Sequence, residues 1–98
     1  MSGEMPIHSF KDEATKSVFE GVCPKGFPSN VLKVARRKLR MVDAAQELAD
    51  LNSPPGNKLH KLHKDREGQH AIWINTKYRV CFVWKHDGAY DAEITDYH

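Results

Sequence analysis

From Gln69 to Tyr97 the sequence alternates apolar and polar residues in three successive runs, and that alternation constrains the fold more than any other feature. Tyr78, Val80, Phe82 and Trp84 fall on one face of an extended strand, with Arg79, Cys81, Val83 and Lys85 on the other. Upstream, Ile72 and Ile74 oppose Ala71 and Trp73. Downstream, Tyr90, Ala92 and Ile94 oppose Asp91, Glu93 and Thr95. Only Thr76–Lys77 and His86–Asp87–Gly88 separate the runs. Such short links cannot carry a parallel crossover, so the three strands form an antiparallel meander.

A meander of this size needs cover on one face, and the preceding residues supply it. Leu32, Ala35, Leu39, Val42, Ala45 and Ala49 step by three or four, which predicts one apolar stripe on a helix over Ser29–Leu51. Ser29 is its expected N-cap, and Asn52–Asn57, NSPPGN, ends it. Asp12 can cap a shorter helix running to about Glu20, with Gly21 as its stop. Gly21–Pro28 is a loop, and Met5–Phe10, with Pro6 near its start, reads as an edge strand. The expected class is α+β, with two N-terminal helices on one face of a small, mainly antiparallel sheet. Val80, Phe82 and Trp84 are expected under the helices, leaving the face that carries Arg79 open.

At 98 residues the chain has room for one domain. Residues 1–4 read as a leader or expression remnant before a start at Met5, and 5–98 as the domain. No apolar run reaches the roughly 18–20 residues of a membrane span, and the N-terminus has no signal-peptide core, so no membrane association and a cytoplasmic location are expected. Cys81, within an apolar run, reads as a buried small hydrophobe. With Cys23 in a loop and no CxxC spacing, neither zinc nor a disulfide is indicated.

The net charge is only +2, but the basic residues are clustered. Lys33, Arg36, Arg37, Lys38 and Arg40 form one group; Lys58, Lys61, Lys64 and Arg66 form another. Such groups suit a local anionic partner such as RNA, or are simply solvated faces. Three of the six histidines, His60, His63 and His70, lie in the second region. His60-x-x-His63 with His70 lacks the further ligands of a metal site, so no metal is expected. Surface imidazoles and proton transfer are the remaining readings, and the cations around them favour a neutral base. Arg79, flanked on its face by Cys81 and Val83, is partly desolvated and needs an anion: a carboxylate such as Glu93 or Asp96, or a phosphate held bidentately. The end Asp96-Tyr97-His98 is either a frayed tail or a strand end. There His98, beside its own carboxylate and Asp96, would be a protonated acid.

Several segments together resemble the HigB-type toxins of the RelE/ParE superfamily, small toxin–antitoxin ribonucleases. They are SPPGN (Ser53–Asn57), KLH (Lys58–His60), DREGQHAIWIN (Asp65–Asn75), YRVCF (Tyr78–Phe82) and the terminal DYH (Asp96–His98). IHSF and RRKLRMVDAAQELADL are similar too, so the likeness spans nearly all of Met5–His98. The resemblance implies a RelE-like fold and cleavage of mRNA where the ribosome decodes it, in the A site. It also implies inhibition by a HigA-like antitoxin. By motif, His60 corresponds to a catalytic loop histidine, Arg79 to the strand arginine that steadies the scissile phosphate, and Asp96, Tyr97 and His98 to the catalytic end. The chain departs from the pattern at three positions: His63 where some members have lysine, Lys64 where many have glycine, and Trp73 where several have a basic residue.

The implied chemistry is metal- and cofactor-independent attack by the RNA 2′-OH. Arg79 stabilises the phosphorane charge and His98 acts as acid, or as base with roles exchanged. His60, with His63 or Lys64, serves the opposite side; Asp96 orients His98, and Tyr97 contacts substrate. Lys58, Lys61, Arg66, Lys77, Arg36, Arg37 and Arg40 are expected to meet RNA or ribosome phosphates, and Trp73 is a candidate stacking surface or an apolar edge under the loop. The alternative is a non-catalytic relative that inhibits DNA gyrase or only binds RNA or antitoxin.

Overall fold

The computed structural model describes residues 7–96; residues 1–6, Tyr97 and His98 lie outside that range, and with them the leader and the last two positions of the expected catalytic end. Helix α1 spans Glu13–Phe19 and α2 spans Ser29–Ala44. Strands β1 (His60–Lys61), β2 (Gln69–Trp73), β3 (Tyr78–Lys85) and β4 (Gly88–Asp96) form one sheet in that order, antiparallel throughout. The expected α+β meander is present. The described part of the N-terminal segment, however, makes only two isolated parallel bridges to β4, Ile7 with Ala89 and Phe10 with Ala92. The β4 register shift lies between those two positions.

The bulge also re-aims a side chain. Cys81 faces Glu93, but two residues later Val83 faces Tyr90, so β4 carries one extra residue. Asp91 absorbs it with φ +55°, a left-handed conformation that Asp tolerates better than most side chains. Ala89 and Ala92 therefore both reach the core, and Tyr90 does not share the face of Ala92 as strict alternation implied. Tyr90 instead stacks on His8 at 4.7 Å and donates to Asp87 Oδ2 at 2.9 Å. Ser9 Oγ accepts the Asp91 amide, so the bulge leaves that donor satisfied.

Helix α1 starts where Asp12 accepts the Thr15 amide at 2.8 Å, and it ends at Glu20, before Gly21 at φ +92°. A Cβ on Gly21 would sit 3.4 Å from Arg36 Cζ, so glycine serves both the turn and the close passage of Arg36. The N-cap of α2 is Pro28, and Ser29, expected as the cap, is already in the first turn. The helix stops at Ala44, seven residues short of expectation. The cause is Asp50, whose carboxylate accepts from Gln46 N and Glu47 N at 2.9 and 3.0 Å and so diverts amides from the helical ladder. Leu48–Asn52 then forms a 3₁₀ turn with Leu51 buried and Ala49 exposed.

Val18, Ala35, Leu39, Val42 and Leu51 form one buried cluster with Ile72, Val80, Phe82, Ala89 and Ala92 of the sheet. Thr15 is buried as well, its Oγ1 accepting Ile94 N at 2.9 Å, which ties α1 to β4. The other sheet face is not open as expected. Leu62 folds over Ala71 and Cys81 to make a second, small buried cluster.

Within the first basic group, Lys38 is buried at 7% exposure rather than solvated, with Nζ 2.5 Å from Asn57 Oδ1. Asn57 is fully buried, and its Nδ2 donates to the carbonyls of Leu51 and Ser53. Burial, and secondarily Arg37, lower the Lys38 pKa. Removing one partner leaves a buried polar group unsatisfied, whereas removing both does not. We expect Asn57→Leu and Lys38→Met each to cost about 2 kcal/mol, and the double variant to cost less than the sum, measured as urea-unfolding free energies.

Candidate active site on the second sheet face

The strand register brings the candidate residues together in two adjacent rows. His60 faces Ala71, which faces Cys81, which faces Glu93. The next row runs Trp73, Arg79, Thr95. Side chains at paired positions share a face, so His60, Trp73 and Arg79 all project on the side away from Val80 and Phe82. Strand spacing puts the His60 and Arg79 backbones about 12 Å apart.

Arg79 is built in by the β2–β3 turn. Asn75 Oδ1 accepts the amides of Lys77 and Tyr78 at 2.9 and 2.8 Å, closing the turn. The carbonyl of the same Asn75 accepts from Arg79 Nη1 at 2.8 Å, and that of Tyr78 at 3.3 Å. The guanidinium lies over the Trp73 ring at 4.1 Å, and the residue as a whole is 6% exposed. Glu93, one of its two expected carboxylate partners, is engaged by Arg66 Nη1 at 3.0 Å, and Lys77 Nζ lies 3.8 Å from Asp96. Arg66, which also donates to Gln69, therefore fastens its loop to β4.

His60 is set by the preceding segment. Pro55–Asn57 forms a single 3₁₀ turn, and Lys58 leaves it at φ +49°. The Lys58 carbonyl lies 2.7 Å from His60 Nδ1. A carbonyl only accepts, so Nδ1 carries the proton, and in neutral His60 the lone pair is on Nε2. Lys58 Nζ reaches the Trp73 ring at 5.1 Å. Asn57 and Asn75, which anchor these pieces, were not singled out by sequence reasoning, and Lys38 was named only as a member of a basic group. For Asn57 the signal was the SPPGN segment, which shows a turn but not a buried amide.

The remaining histidines separate. His63 is exposed, before the 3₁₀ turn Lys64–Arg66, where Lys64 holds φ +59°, a conformation suited to glycine. His70 pairs with Lys61 and Phe82, one register step from His60, and so projects toward the opposite face. No three His, Cys, Asp or Glu side chains among the described residues group as metal ligands. Lys61 and Lys64 are exposed, as are Arg37 and Arg40 on α2. Arg36 donates Nε to the Phe19 carbonyl, and Arg40 covers the Phe19 ring at 4.8 Å. With Lys33 and Arg37 they line a groove of about 430 Å³.

Comparison with known proteins shows the family. The family described as RelE-like toxin of type II toxin-antitoxin system HigB matches residues 8–98. The chain belongs to the HigB-like toxin family. It is 34% identical over 92 residues to "Endoribonuclease HigB" of Proteus vulgaris, covering 94% of this chain and 99% of that one. It is 40% identical over 57 residues to "Toxin HigB-1" of Vibrio cholerae, covering 58% of this chain and 60% of the relative. A Haemophilus influenzae protein of uncharacterized function is 38% identical over 60 residues, 61% of this chain and 57% of its own. As a HigB-like toxin of a toxin–antitoxin system, the chain has an antitoxin as its implied partner. No helix among the described residues is long and apolar enough to cross a membrane.

In this HigB-like chain His70 is a structural group with a titration. Its Nδ1 is buried without a hydrogen-bond partner among the described residues, and its ring lies nearly parallel to Phe82 at 6.4 Å. Burial first, then Lys61 and His60, lower its pKa below the ordinary 6.5. Below that value the unfolded chain binds a proton that the folded chain resists. His70 therefore favours folding fully above pH 6.5 and less as pH falls through that value toward its lowered pKa. We expect His70→Phe to show a smaller loss of stability than the parent between pH 7.5 and 5.5, read from urea midpoints.

Proposed function

We propose that the protein is the toxin of its pair and acts as a ribosome-dependent, metal-independent endoribonuclease on mRNA, restrained by a HigA-like antitoxin. The observation that carries this reading is the meeting of His60 and Arg79 on one sheet face, in a chain 34% identical to a relative named an endoribonuclease. A strand arginine held by two carbonyls and an imidazole with its tautomer fixed supply two of the three groups that RNA cleavage requires.

In this mechanism the 2′-OH gives its proton to His60 Nε2 as the 2′-oxygen attacks phosphorus. Charge builds on the non-bridging oxygens and is stabilised by Arg79 and Lys58. The P–O5′ bond breaks, the 5′-oxygen takes a proton from an acid, and a 2′,3′-cyclic phosphate remains. His98, oriented by Asp96, is assigned as that acid, and Tyr97 as a substrate contact. The acid and base assignments can be exchanged without altering the balance. His63 or Lys64, both exposed beside β1, is assigned to the base side with His60. Lys61, Lys77 and the exposed cations of α2 are assigned to ribosomal phosphates, a set of contacts that weakens with salt. The ribosome supplies what so small a site lacks, a single strand already held in position.

Arg79→Ala is expected to lower cleavage about 10²–10³-fold, and His60→Gln or deletion of His98 about 10²-fold or more, measured by primer extension on ribosome-bound mRNA. Retained fold is checked by circular dichroism. Unchanged cleavage in all three variants, or gyrase inhibition by the parent without mRNA cleavage, would overturn the reading.

A further inference from the structure

Two cations converge on one indole. The Arg79 guanidinium carbon is 4.1 Å from the Trp73 ring centroid and Lys58 Nζ is 5.1 Å from the same point. Their approach is not a surface coincidence. Trp73 and Arg79 are paired across β2 and β3, so the backbone ladder itself sets one ring against one guanidinium. Lys58 arrives from another segment and is itself the left-handed residue that follows the buried Asn57 turn. Like charges gathered in one small region repel, and an indole face, with its negative quadrupole, offsets that repulsion.

We propose that Trp73 is a positioning residue, holding Arg79 and Lys58 in the orientation that meets the scissile phosphate. The proposal rests on the reading of Arg79 as the phosphate-stabilising residue. An arginine side chain is flexible, and a cation acts on a transition state in proportion to how well it is already aimed. The carbonyls of Asn75 and Tyr78 hold one end of the guanidinium, and the indole holds its face. A ring employed in this way contributes to the chemical step. A ring that stacked on an RNA base would contribute to binding instead, so the two roles separate in kinetics.

The test uses the full chain on ribosomes programmed with a defined mRNA. Trp73→Leu keeps apolar bulk and removes the π face; Trp73→Phe keeps the face. If the ring positions Arg79, Trp73→Leu lowers kcat about tenfold while KM stays within about twofold, and Trp73→Phe restores most of the loss. The double variant with Arg79→Ala then loses less than the sum of the two single losses, because only the ring's hold on Lys58 is left to remove. A rise in KM without a fall in kcat, or additive losses in the double variant, overturns the proposal. The chain has two tryptophans, so Trp84→Phe leaves Trp73 as the sole indole fluorophore. In that background Arg79→Ala is expected to shift the Trp73 emission to the red, and an unchanged spectrum counts against the contact even where a leucine variant folds poorly. An inactive Arg79→Ala beside a fully active Trp73→Leu defeats this proposal alone. A fully active Arg79→Ala defeats the reading of the site, and this proposal with it.

Discussion

A single buried amide, Asn57, joins the three parts on which the site depends. Its oxygen takes the Lys38 ammonium from the middle of α2, and its nitrogen closes the turn that begins at Leu51. The next residue, Lys58, bends into the left-handed region and sends its carbonyl to His60 and its ammonium to Trp73. A buried ammonium is expensive unless it is hydrogen-bonded, and a hydrogen bond to an ionised donor is stronger than a neutral one. The Lys38–Asn57 hydrogen bond thus fixes the height at which the loop meets the helix. From that height His60 enters the sheet edge in register with Ala71, and its ring comes to the Arg79 side.

The chain's basic residues divide by what the backbone asks of them. Lys38 and Arg66 are structural: one is buried on Asn57, and the other joins Gln69 and Glu93. Arg36 and Arg40 are held at α1 by the Phe19 carbonyl and ring while still lining a groove. Arg79 is fixed by two carbonyls and an indole. Lys61, Lys64 and Arg37 extend into solvent. A net charge of +2 conceals this division. Counting lysines and arginines in the sequence treats as one basic surface what the fold separates into fasteners, aimed cations and exposed contacts.

The meander was legible because a period of two is written directly into Tyr78–Lys85, and the faces of β2 and β3 follow from it. The bulge at Asp91 was not legible. One extra residue leaves alternation looking intact on either side, and only the pairing of Val83 with Tyr90 reveals the shift. The early end of α2 was hidden for a related reason. The apolar stripe continues to Ala49, but Asp50 competes locally for amides that the stripe cannot defend. For the site, His60 and Arg79 were named from residue type and resemblance. Their shared face required a register across three strands, which the composition of the loop between β1 and β2 does not encode. Tyr97 and His98 stand beyond the described residues.

An uncharged ring at Trp73, between Arg79 and Lys58, has a physical logic in this setting. A third cation beside Arg79 and Lys58 would add charge for an anion, but it would also push the other two apart in a region already partly shielded from water. An indole gives up that charge and attracts the pair instead. Electrostatic stabilisation of a phosphorane depends on the number of charges and on how little they move when the transition state forms. With Asn75 closing the turn beneath Arg79 and Asn57 closing the turn beneath Lys58, the ring between these anchors would, in the proposed role of Arg79, contribute order to two cations where a third cation would contribute charge.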